Sequence, residues 1–483
     1  MNAPLPPANQ ADLLDRPQED APRPDDRIDD ARHDEENRLK PEYVRAVQDA
    51  LDSGDTERAY DLVEPLHPAD IADLFELIDR GERAHLAAAI TDLMSGEVVA
   101  ELNGFVREEM MDALGPAAVA SIAEQLETDD AVQLLEDLDA PDRQAVLAEL
   151  EPEDRHAIES ALAYPEETAG RLMNRDYVAV PEHLSVGDLI DYLRDSRDLT
   201  NDFWEVFVVD PAHHPVGTCQ LSWVLRTPRS VPLSDVMQRD QTLIPVTMDQ
   251  EEVALMFQKY ALISAAVVDA SGRLVGQMTV DDVIHIISEE AQEDTMLLSG
   301  AGEGDINEPI RDAYKARVRW LLANLLTASV ASTIISQFED TIAAMVALAV
   351  LMPIVAGIGG NAGTQTLAVT VRALATNQLT SSNTWRSVRR EMSIALLNGS
   401  TIAVVIGFAV SILFANPMLG LVIALAMMCN ILIAGLAGVV VPLTLDRFDI
   451  DPAISSSIFV TMITDSMGFL VFLGLAVASG LVG

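Results

Sequence analysis

The stretch Phe459-Val-Thr-Met-Ile-Thr-Asp-Ser-Met-Gly468 lies in the last apolar segment of the chain, residues 454–482, and it contains one carboxylate, Asp465. Residues 320–483 hold twelve acidic or basic side chains, and the other eleven lie at predicted ends of apolar segments or between them. A carboxylate at bilayer depth costs about 3 kcal/mol. Asp465 is therefore predicted to bind an ion or a proton, and the alternative is a buried carboxylate held by a neighbouring helix.

The negative charge is concentrated outside this segment. Residues 320–483 carry five Arg, no Lys and seven Asp or Glu, a net charge of −2, so the first 319 residues carry −43 of the total of −45. Such a surface repels phosphate, which argues against nucleic acid as a partner and favours cations. General solubility is the alternative reason for an acidic surface. A chain of 483 residues predicts several domains.

The cysteine content and the N-terminus indicate the compartment. The two cysteines, Cys219 and Cys429, offer no disulfide framework, which is typical of a reducing cytoplasm. The first residues lack the basic and apolar runs of a signal peptide. We expect the soluble part in the cytoplasm and the apolar part as a multi-pass domain of the inner cell membrane.

The soluble part divides into four predicted regions. Residues 1–38, rich in Pro, Asp, Glu and Arg, are predicted to be a disordered acidic tail. Residues 39–165 show apolar side chains at three- and four-residue spacing and repeated Pro-acid helix starts, which predict an all-α superhelical domain. Residues 166–285 contain two copies of the order strand, helix, strand, strand, helix, which predicts an α+β pair. Residues 286–316 are predicted to be a connecting helix and linker.

Carboxylates are crowded in the predicted connecting helix. Glu289, Glu290, Glu293 and Asp294 fall within six residues and repel one another unless a cation lies between them. A solvated acidic face explains the same run, and the segment alone does not decide between the two.

Residues 317–483 are predicted to be an α-helical membrane domain with five spans. The second span exceeds the roughly 20 residues that a straight crossing needs, and Pro353 with the glycines after it is predicted to break its helix. Arg and Lys residues flank the start of the first span and the loops after the second and fourth, which predicts a cytoplasmic N-terminus and a single crossing by the second span. The predicted spans are residues 318–337, 341–375, 392–415, 419–443 and 454–482.

The second span contains Gly359-Gly-Asn-Ala-Gly-Thr-Gln365. Irregular glycine-rich backbone at membrane depth is tolerated where it lines a wet cavity, so its carbonyls, including that of Gly360, are predicted to face a cation together with Asn361 and Gln365. Close helix packing through small residues is the alternative.

Two resemblances follow from these motifs. The second α+β copy, with Val-Val-Asp-x-x-Gly-Arg-Leu-Val-Gly followed by Thr279-Val-Asp-Asp-Val283, resembles a CBS domain, which implies a module that senses a nucleotide or an ion. With the helical domain before it and the membrane motifs after it, the chain from residue 40 onward resembles the MgtE family of magnesium channels. The most specific pieces are Ala316-Arg-Val-Arg-Trp-Leu321, Gly359–Gln365, Arg372-Ala-Leu-Ala-Thr376, Asp451-Pro-Ala and Thr464-Asp-x-x-Gly468.

The resemblance implies a homodimer of five-helix protomers around one central pore. Asp465 would be the pore carboxylate for Mg²⁺, facing its counterpart in the second subunit, and the carbonyl of Thr461 would face the same ion. Ser457 stands where the family has Asn, and Ile458 where it has Pro.

The resemblance also implies regulatory Mg²⁺ sites in the soluble part, with an adenine nucleotide such as ATP as a possible ligand of the CBS pair. Ala261 and His285 stand at positions where the family pattern has acids. The matching acids are Asp249, Glu251, Asp282, Glu290, Glu293 and Asp294, with a weaker match at Asp129 and Asp130.

The sequence therefore predicts a Mg²⁺-selective channel gated by intracellular Mg²⁺, and not an enzyme. A proton-coupled transporter of divalent cations such as Co²⁺, Mn²⁺ or Ni²⁺ is one alternative. A membrane sensor whose CBS pair binds a nucleotide is another. A hydrolase is disfavoured because the predicted spans contain no second carboxylate, no His and no nucleophile with its base.

Overall fold

The computed structural model describes residues 32–196, 203–300, 306–380, 382–448, 450–453 and 456–481, without the side chains of Asp112 and Ala113. The described residues form two compact units, one from residues 32–164 with Asn174–Asp176 and one from Pro165–Met173 with the described residues from Tyr177 onward.

The helices are α1 Pro41–Asp52, α2 Thr56–Val63, α3 Pro68–Leu77, α4 Arg80–Ala89, α5 Gly96–Ala100, α6 Gly104–Leu114, α7 Pro116–Ala123, α8 Thr128–Glu136, α9 Ala140–Glu149, α10 Pro152–Leu162, α11 Ala169–Leu172, α12 Val186–Asp195, α13 Leu221–Val224, α14 Leu233–Val236, α15 Gln250–Tyr260, α16 Val280–Ser299, α17 Ile310–Ser336, α18 Glu339–Ala344, α19 Val346–Ala375, α20 Thr384–Leu413, α21 Pro417–Asp446 and α22 Ser456–Ala478. The strands are β1 Ala179–Pro181, β2 Glu205–Val209, β3 Pro215–Gln220, β4 Leu243–Pro245, β5 Ser264–Val268 and β6 Leu274–Thr279.

The first unit is the predicted all-α domain. Helices α1, α3, α7, α9 and α10 each have a proline in their first turn, where the missing N–H costs nothing. Their apolar stripes meet in one continuous core. Two buried arginines join neighbouring helices through that core: Arg83 contacts Glu109 at 3.0 Å and Arg107 contacts Asp137 at 2.7 Å.

The prediction of a disordered tail over residues 1–38 is wrong for residues 32–38. Residues 32–38 are folded because Asp34 accepts a hydrogen bond from the backbone N–H of Arg38 at 3.0 Å and also binds its guanidinium. Leu39 then enters the core of the first unit. The rest of the predicted tail, residues 1–31, lies outside the described residues.

The two α+β copies form matching sheets. In the first, β1 pairs parallel with β2, and β2 pairs antiparallel with β3; β4, β5 and β6 repeat this order. The register shifts at the same place in both copies, between Val208 and Val209 and between Val267 and Val268. The predicted internal repeat is therefore confirmed down to its irregularity.

The predicted connecting helix is continuous with the second copy. Helix α16 begins at Val280, directly after β6, and runs without a break to Ser299. Near its C-terminal end, Leu297 and Leu298 pack against a buried cluster on the membrane helices that includes Val371 and Val460. A rigid element thus joins the second sheet to one end of those helices.

Five of the described helices are long and apolar enough to cross a membrane, namely α17, α19, α20, α21 and α22. The predicted number of spans is confirmed, but the third helix starts at Thr384 rather than near Met392. Glu391 therefore lies inside α20, 5% exposed. The predicted start of this helix is wrong, because the arginines before Glu391 do not end it, and Glu391 lies directly beside those arginines at the edge of the predicted span.

The predicted break in the second span is also wrong. Helix α19 runs without interruption through Pro353 and the glycine-rich stretch, and the chain bends instead at Met345, between α18 and α19. A continuous helix keeps the backbone groups of this apolar segment paired with one another, which an irregular stretch would not.

Candidate ion site

Three polar side chains form a stripe on α22. Ser457, Thr461 and Asp465 follow one another at four-residue spacing, so they fall within about 80° of the helix circumference, and each is half-buried. The carbonyl of Thr461 accepts a hydrogen bond from the hydroxyl of Thr464 at 3.0 Å. Within the described residues Asp465 has no ion pair and no hydrogen-bond partner. The alternative, in which a neighbouring helix binds the carboxylate, therefore finds no binding partner for Asp465 among the described residues.

The glycine-rich helix α19 has a packed face. A Cβ added at Gly363 would lie 2.6 Å from Cγ1 of Val460 on α22. A Cβ added at Gly359 would lie 2.1 Å from Nδ2 of Asn430 on α21. These two glycines serve the close helix packing that the sequence offered as an alternative to a cavity lining.

The other face of α19 is open in the protomer. A Cβ at Gly357 or at Gly360 would meet nothing within 4 Å, and the side chains of Asn361 and Gln365 are exposed on the same side. Because the helix is regular here, backbone carbonyls such as that of Gly360 accept helix hydrogen bonds instead of forming the irregular lining predicted for them. The exposed side-chain amides remain as oxygen donors.

Asn430 is a structural residue that the sequence reasoning missed. It is 0% exposed, and its Nδ2 donates to the carbonyl of Val355 at 2.9 Å. It fills the gaps left by two glycines, because a Cβ at Gly468 would lie 2.7 Å from the same nitrogen. The glycine of the Thr464-Asp-x-x-Gly468 motif is thus explained by packing. Its sequence signal was a single polar amide in the middle of an apolar segment, which could have indicated a buried hydrogen bond.

A second group of candidate residues meets on the cytosolic side of the second unit. Asp249 caps α15 by accepting the backbone N–H of Glu251 at 2.9 Å. Gln250 holds Glu290 of α16 through a 2.6 Å hydrogen bond. These contacts align α15 with α16, so that acids distant in sequence come close together.

The crowding changes the pKa values of these acids. Burial, with the charges of Glu290 and Asp294 and those of further acids, raises the pKa of Glu251 to about 7. Burial also raises the pKa of Glu290, Glu293 and Asp294, and neighbouring carboxylates add to each shift. The ionised cluster is therefore unfavourable unless positive charge is supplied.

The cluster extends to the membrane helices around a cavity of about 210 Å³. Asp446 at the end of α21 and Asp451 after it were not predicted as site residues, although the Asp451-Pro-Ala motif had been singled out. Five carboxylates line this acidic cavity: Glu251, Glu252, Asp294, Asp446 and Asp451.

The remaining predicted acids lie apart from this cavity. Asp282 accepts a hydrogen bond from the Thr279 hydroxyl at 2.5 Å, and burial raises its pKa, with Asp281 rather than the cluster as its acidic neighbour. Asp129 and Asp130 lie in the first turn of α8, in the first unit.

The structure also shows the two residues that stand where the family pattern has acids, Ala261 and His285. Ala261 ends α15 in the left-handed conformation, with φ of 51°. His285 is exposed on α16.

In the described part of the chain no three His, Cys, Asp or Glu side chains already converge as a metal cage. This arrangement is compatible with Mg²⁺, which keeps several of its waters and is usually held by one or two carboxylates.

Comparison with known proteins agrees with this architecture. The profile of the MgtE divalent cation transporter family matches residues 352–475, that of the MgtE intracellular N domain matches residues 66–167, and that of the CBS domain matches residues 233–289. The chain is 31% identical over 445 residues to the magnesium transporter MgtE of Thermus thermophilus, covering 91% of this chain and 98% of that protein.

Two further similarities are of the same kind. The magnesium transporter MgtE of Bacillus subtilis is 29% identical over 446 residues, covering 92% of this chain and 98% of that protein. The crystal structure of the cytosolic domain of the Mg²⁺ channel MgtE in complex with ATP covers 50% of this chain and 99% of its own, with 28% identity and a TM-score of 0.47.

Fold and comparisons together define a multi-pass membrane protein of the cation-transporter class, with an intracellular helical domain and a CBS pair. Within that class, the chain belongs to the MgtE family of magnesium transporters.

Proposed function

We propose that this protein conducts Mg²⁺ across the membrane through a pore in which Asp465 binds the ion. The observation that carries the proposal is the carboxylate near the middle of α22, an apolar helix, for which the described residues supply no partner. A charge in that position is stabilised when a cation binds beside it. The Thr461 carbonyl and the Ser457 hydroxyl, on the same stripe, would supply further oxygen ligands or hold the waters of the ion.

The proposed pore is formed by two protomers. One chain supplies a single carboxylate, and a second copy would supply the other across a two-fold axis. The stripe on α22 and the open face of α19, with Asn361 and Gln365, are the polar surfaces on which a second copy could close a path for ions. Gly357 and Gly360 have no side chains on that face of α19, which would leave room for an ion that retains part of its water.

Regulation is proposed to act at the acidic cavity. Mg²⁺ bound among Glu251, Asp294 and Asp451 would offset their mutual repulsion and hold α16 against the ends of the membrane helices. When cytosolic Mg²⁺ falls, repulsion would separate them and release the pore, a linkage between ion binding and two conformations. Further regulatory Mg²⁺ is proposed at Asp282 and at the pair Asp129 and Asp130. ATP or another adenine nucleotide at the CBS pair stays a prediction.

Mg²⁺ uptake into proteoliposomes tests the proposal. Asp465→Asn should lower uptake at least about tenfold, equivalent to about 1.4 kcal/mol lost at the ion site. The matched control is Asp340→Asn, the same chemical change at an exposed acid in the first turn of α18, where uptake should be unchanged. Wild-type uptake by Asp465→Asn would refute the pore role of this carboxylate and favour the membrane-sensor alternative.

The same vesicles separate a channel from a proton-coupled transporter. With a pH indicator inside and the membrane potential clamped by a K⁺ gradient, a channel carries Mg²⁺ along the potential without proton movement. Stoichiometric proton flux with each Mg²⁺ would instead establish coupled transport.

A further inference from the structure

A basic cavity of about 570 Å³ lies between the C-terminal end of α19 and the N-terminal end of α20. Three guanidinium groups line it, together with uncharged polar side chains that include those of Gln378, Asn383 and Ser387; the three arginines are Arg372, Arg386 and Arg390. Arg390 contacts the buried Glu391 at 2.7 Å. Across the described residues, Arg372 and Arg386 form no ion pair. The cavity therefore has an excess of positive charge.

The loop between the two helices brings these arginines to one place. The Asn383 amide donates to the carbonyl of Gln378 at 2.8 Å and accepts the backbone N–H of Thr380 at 2.9 Å. Arg372 and Arg386, fourteen positions apart in sequence, consequently line the same cavity. The tendency of cytoplasmic loops to be basic accounts for arginines on this side of the membrane, but it does not require that they line one cavity.

The position of the cavity is that of the cytoplasmic membrane surface. The last turns of α19 also line the acidic cavity beside α15 and α16, on the side of the soluble domains. Trp385, 69% exposed, lies next to the basic cavity with the Arg389 guanidinium 6.0 Å from its ring centre. Exposed tryptophan is typical of the level of lipid headgroups.

An apolar surface leads from the cavity into the membrane. Leu397 and Val404, 69% and 71% exposed, lie within about 20° of Arg386 around α20. They follow it along the axis by about 16 Å and 27 Å. Half of a bilayer hydrocarbon core is about 15 Å thick, so an acyl chain whose headgroup is at Arg386 would reach Leu397.

We propose that this basic cavity binds the phosphate headgroup of an anionic phospholipid from the cytoplasmic leaflet, with the acyl chains on the Leu397 face of α20. Guanidinium groups bind phosphate oxygens in a bidentate manner, and basic cavities between membrane helices on this side of a bilayer suit such headgroups. The residues of this site are not among those proposed for the ion path, so the proposal does not rest on Mg²⁺ conduction.

Thermal unfolding of the full-length protein in detergent, titrated with phosphatidylglycerol, tests the proposal. We expect phosphatidylglycerol to raise the Tm of the wild type, while phosphatidylcholine does not. Arg386→Gln should raise the half-saturating phosphatidylglycerol concentration about tenfold, because a charge-assisted bond to phosphate is lost. Arg389→Gln is the matched control. It removes the same charge from a side chain three residues further along α20, and that side chain does not line the cavity.

Three outcomes would overturn the proposal. If Arg386→Gln and Arg389→Gln raised the half-saturating phosphatidylglycerol concentration equally, the lipid would be attracted diffusely to a basic surface rather than bound in the cavity. An equal Tm rise with inorganic phosphate at the same concentration would mean a site for a free anion rather than a lipid. If phosphatidylcholine raised the Tm of the wild type as much as phosphatidylglycerol, the site would have no headgroup selectivity. This comparison uses only the wild type, so a folding defect in a variant cannot affect it.

Discussion

The packed interior of the membrane helices and the acidic cavity beside them use polar groups in opposite ways. In the interior, the Asn430 amide donates to a backbone carbonyl and fits against two glycines on neighbouring helices. In the cavity, Glu251, Asp294 and Asp451 face one another with no basic side chain among the described lining residues. The interior is stabilised by fit, whereas the cavity is destabilised by its own charge.

This difference predicts where stability depends on solution conditions. Steric contacts in a close-packed core respond to added volume and hardly to ions. A group of like charges responds to divalent cations and to pH, because either one neutralises it. Substitutions in the interior should therefore act under all conditions, and substitutions in the cavity should act mainly through Mg²⁺.

The largest expected effect is that of Gly359→Ala. The new methyl would overlap Asn430, which cannot move aside because it is fully buried and bound to Val355. Overpacking of this kind costs about 2–3 kcal/mol, and we expect the Tm in detergent to fall by several degrees at any Mg²⁺ concentration.

The control for this variant is Gly360→Ala, on the open face of the same helix. Alanine is the better helix former by about 1 kcal/mol, so its Tm should stay the same or rise slightly. Equal destabilisation by both variants would show that α19 does not have one packed and one open face.

A smaller effect is expected for Asp451→Asn. Loss of one carboxylate from the acidic cavity should weaken the stabilisation by Mg²⁺, and the concentration for half of the Tm rise should increase about threefold to fivefold. Asp240→Asn, at an exposed acid outside the cavity, is the matched control and should leave that concentration unchanged. An unaltered Mg²⁺ response in Asp451→Asn would remove this residue from the regulatory site.

The smallest effect is a pH dependence due to Glu251. Its pKa is raised from 4.5 to about 7 in the folded protein, so between these values the folded state binds more protons than the unfolded state. Stability from this group is therefore present at low pH and is lost as the pH rises towards 7. We expect the Tm without Mg²⁺ to decrease by a few degrees across this window, and less so in Glu251→Gln or with saturating Mg²⁺.

A pH dependence in Glu251→Gln equal to that of the wild type would place its origin elsewhere. A dependence that Mg²⁺ leaves unchanged would show that the ion and the proton do not compete at this cluster.

Much of the fold was predictable because its signals are local. Short apolar runs indicated the central strands of both CBS copies, and the long apolar segments indicated the five membrane helices. Errors arose where a local cue had two physical outcomes. Pro353 and its following glycines break a helix in water, but in an apolar segment the helix continues. The arginines before Glu391 mark a membrane surface without ending α20.

The candidate site shows the same division. The isolation of Asp465 in an apolar segment could be recognised from the sequence, as could the run of acids on α16. The membership of Asp446 and Asp451 in the acidic cavity could not, because about 150 residues separate them from their partners on α16 and only the folded chain brings them together.

The sequence by itself determined which segments are apolar enough to enter a membrane, where the soluble repeat lies and which carboxylate is placed among apolar residues, since each depends on neighbours along the chain. Only the tertiary structure decided which glycines of α19 are packed and which are open, and which acids share a cavity. Those properties depend on contacts between helices that are remote in sequence, and composition and spacing do not encode such contacts.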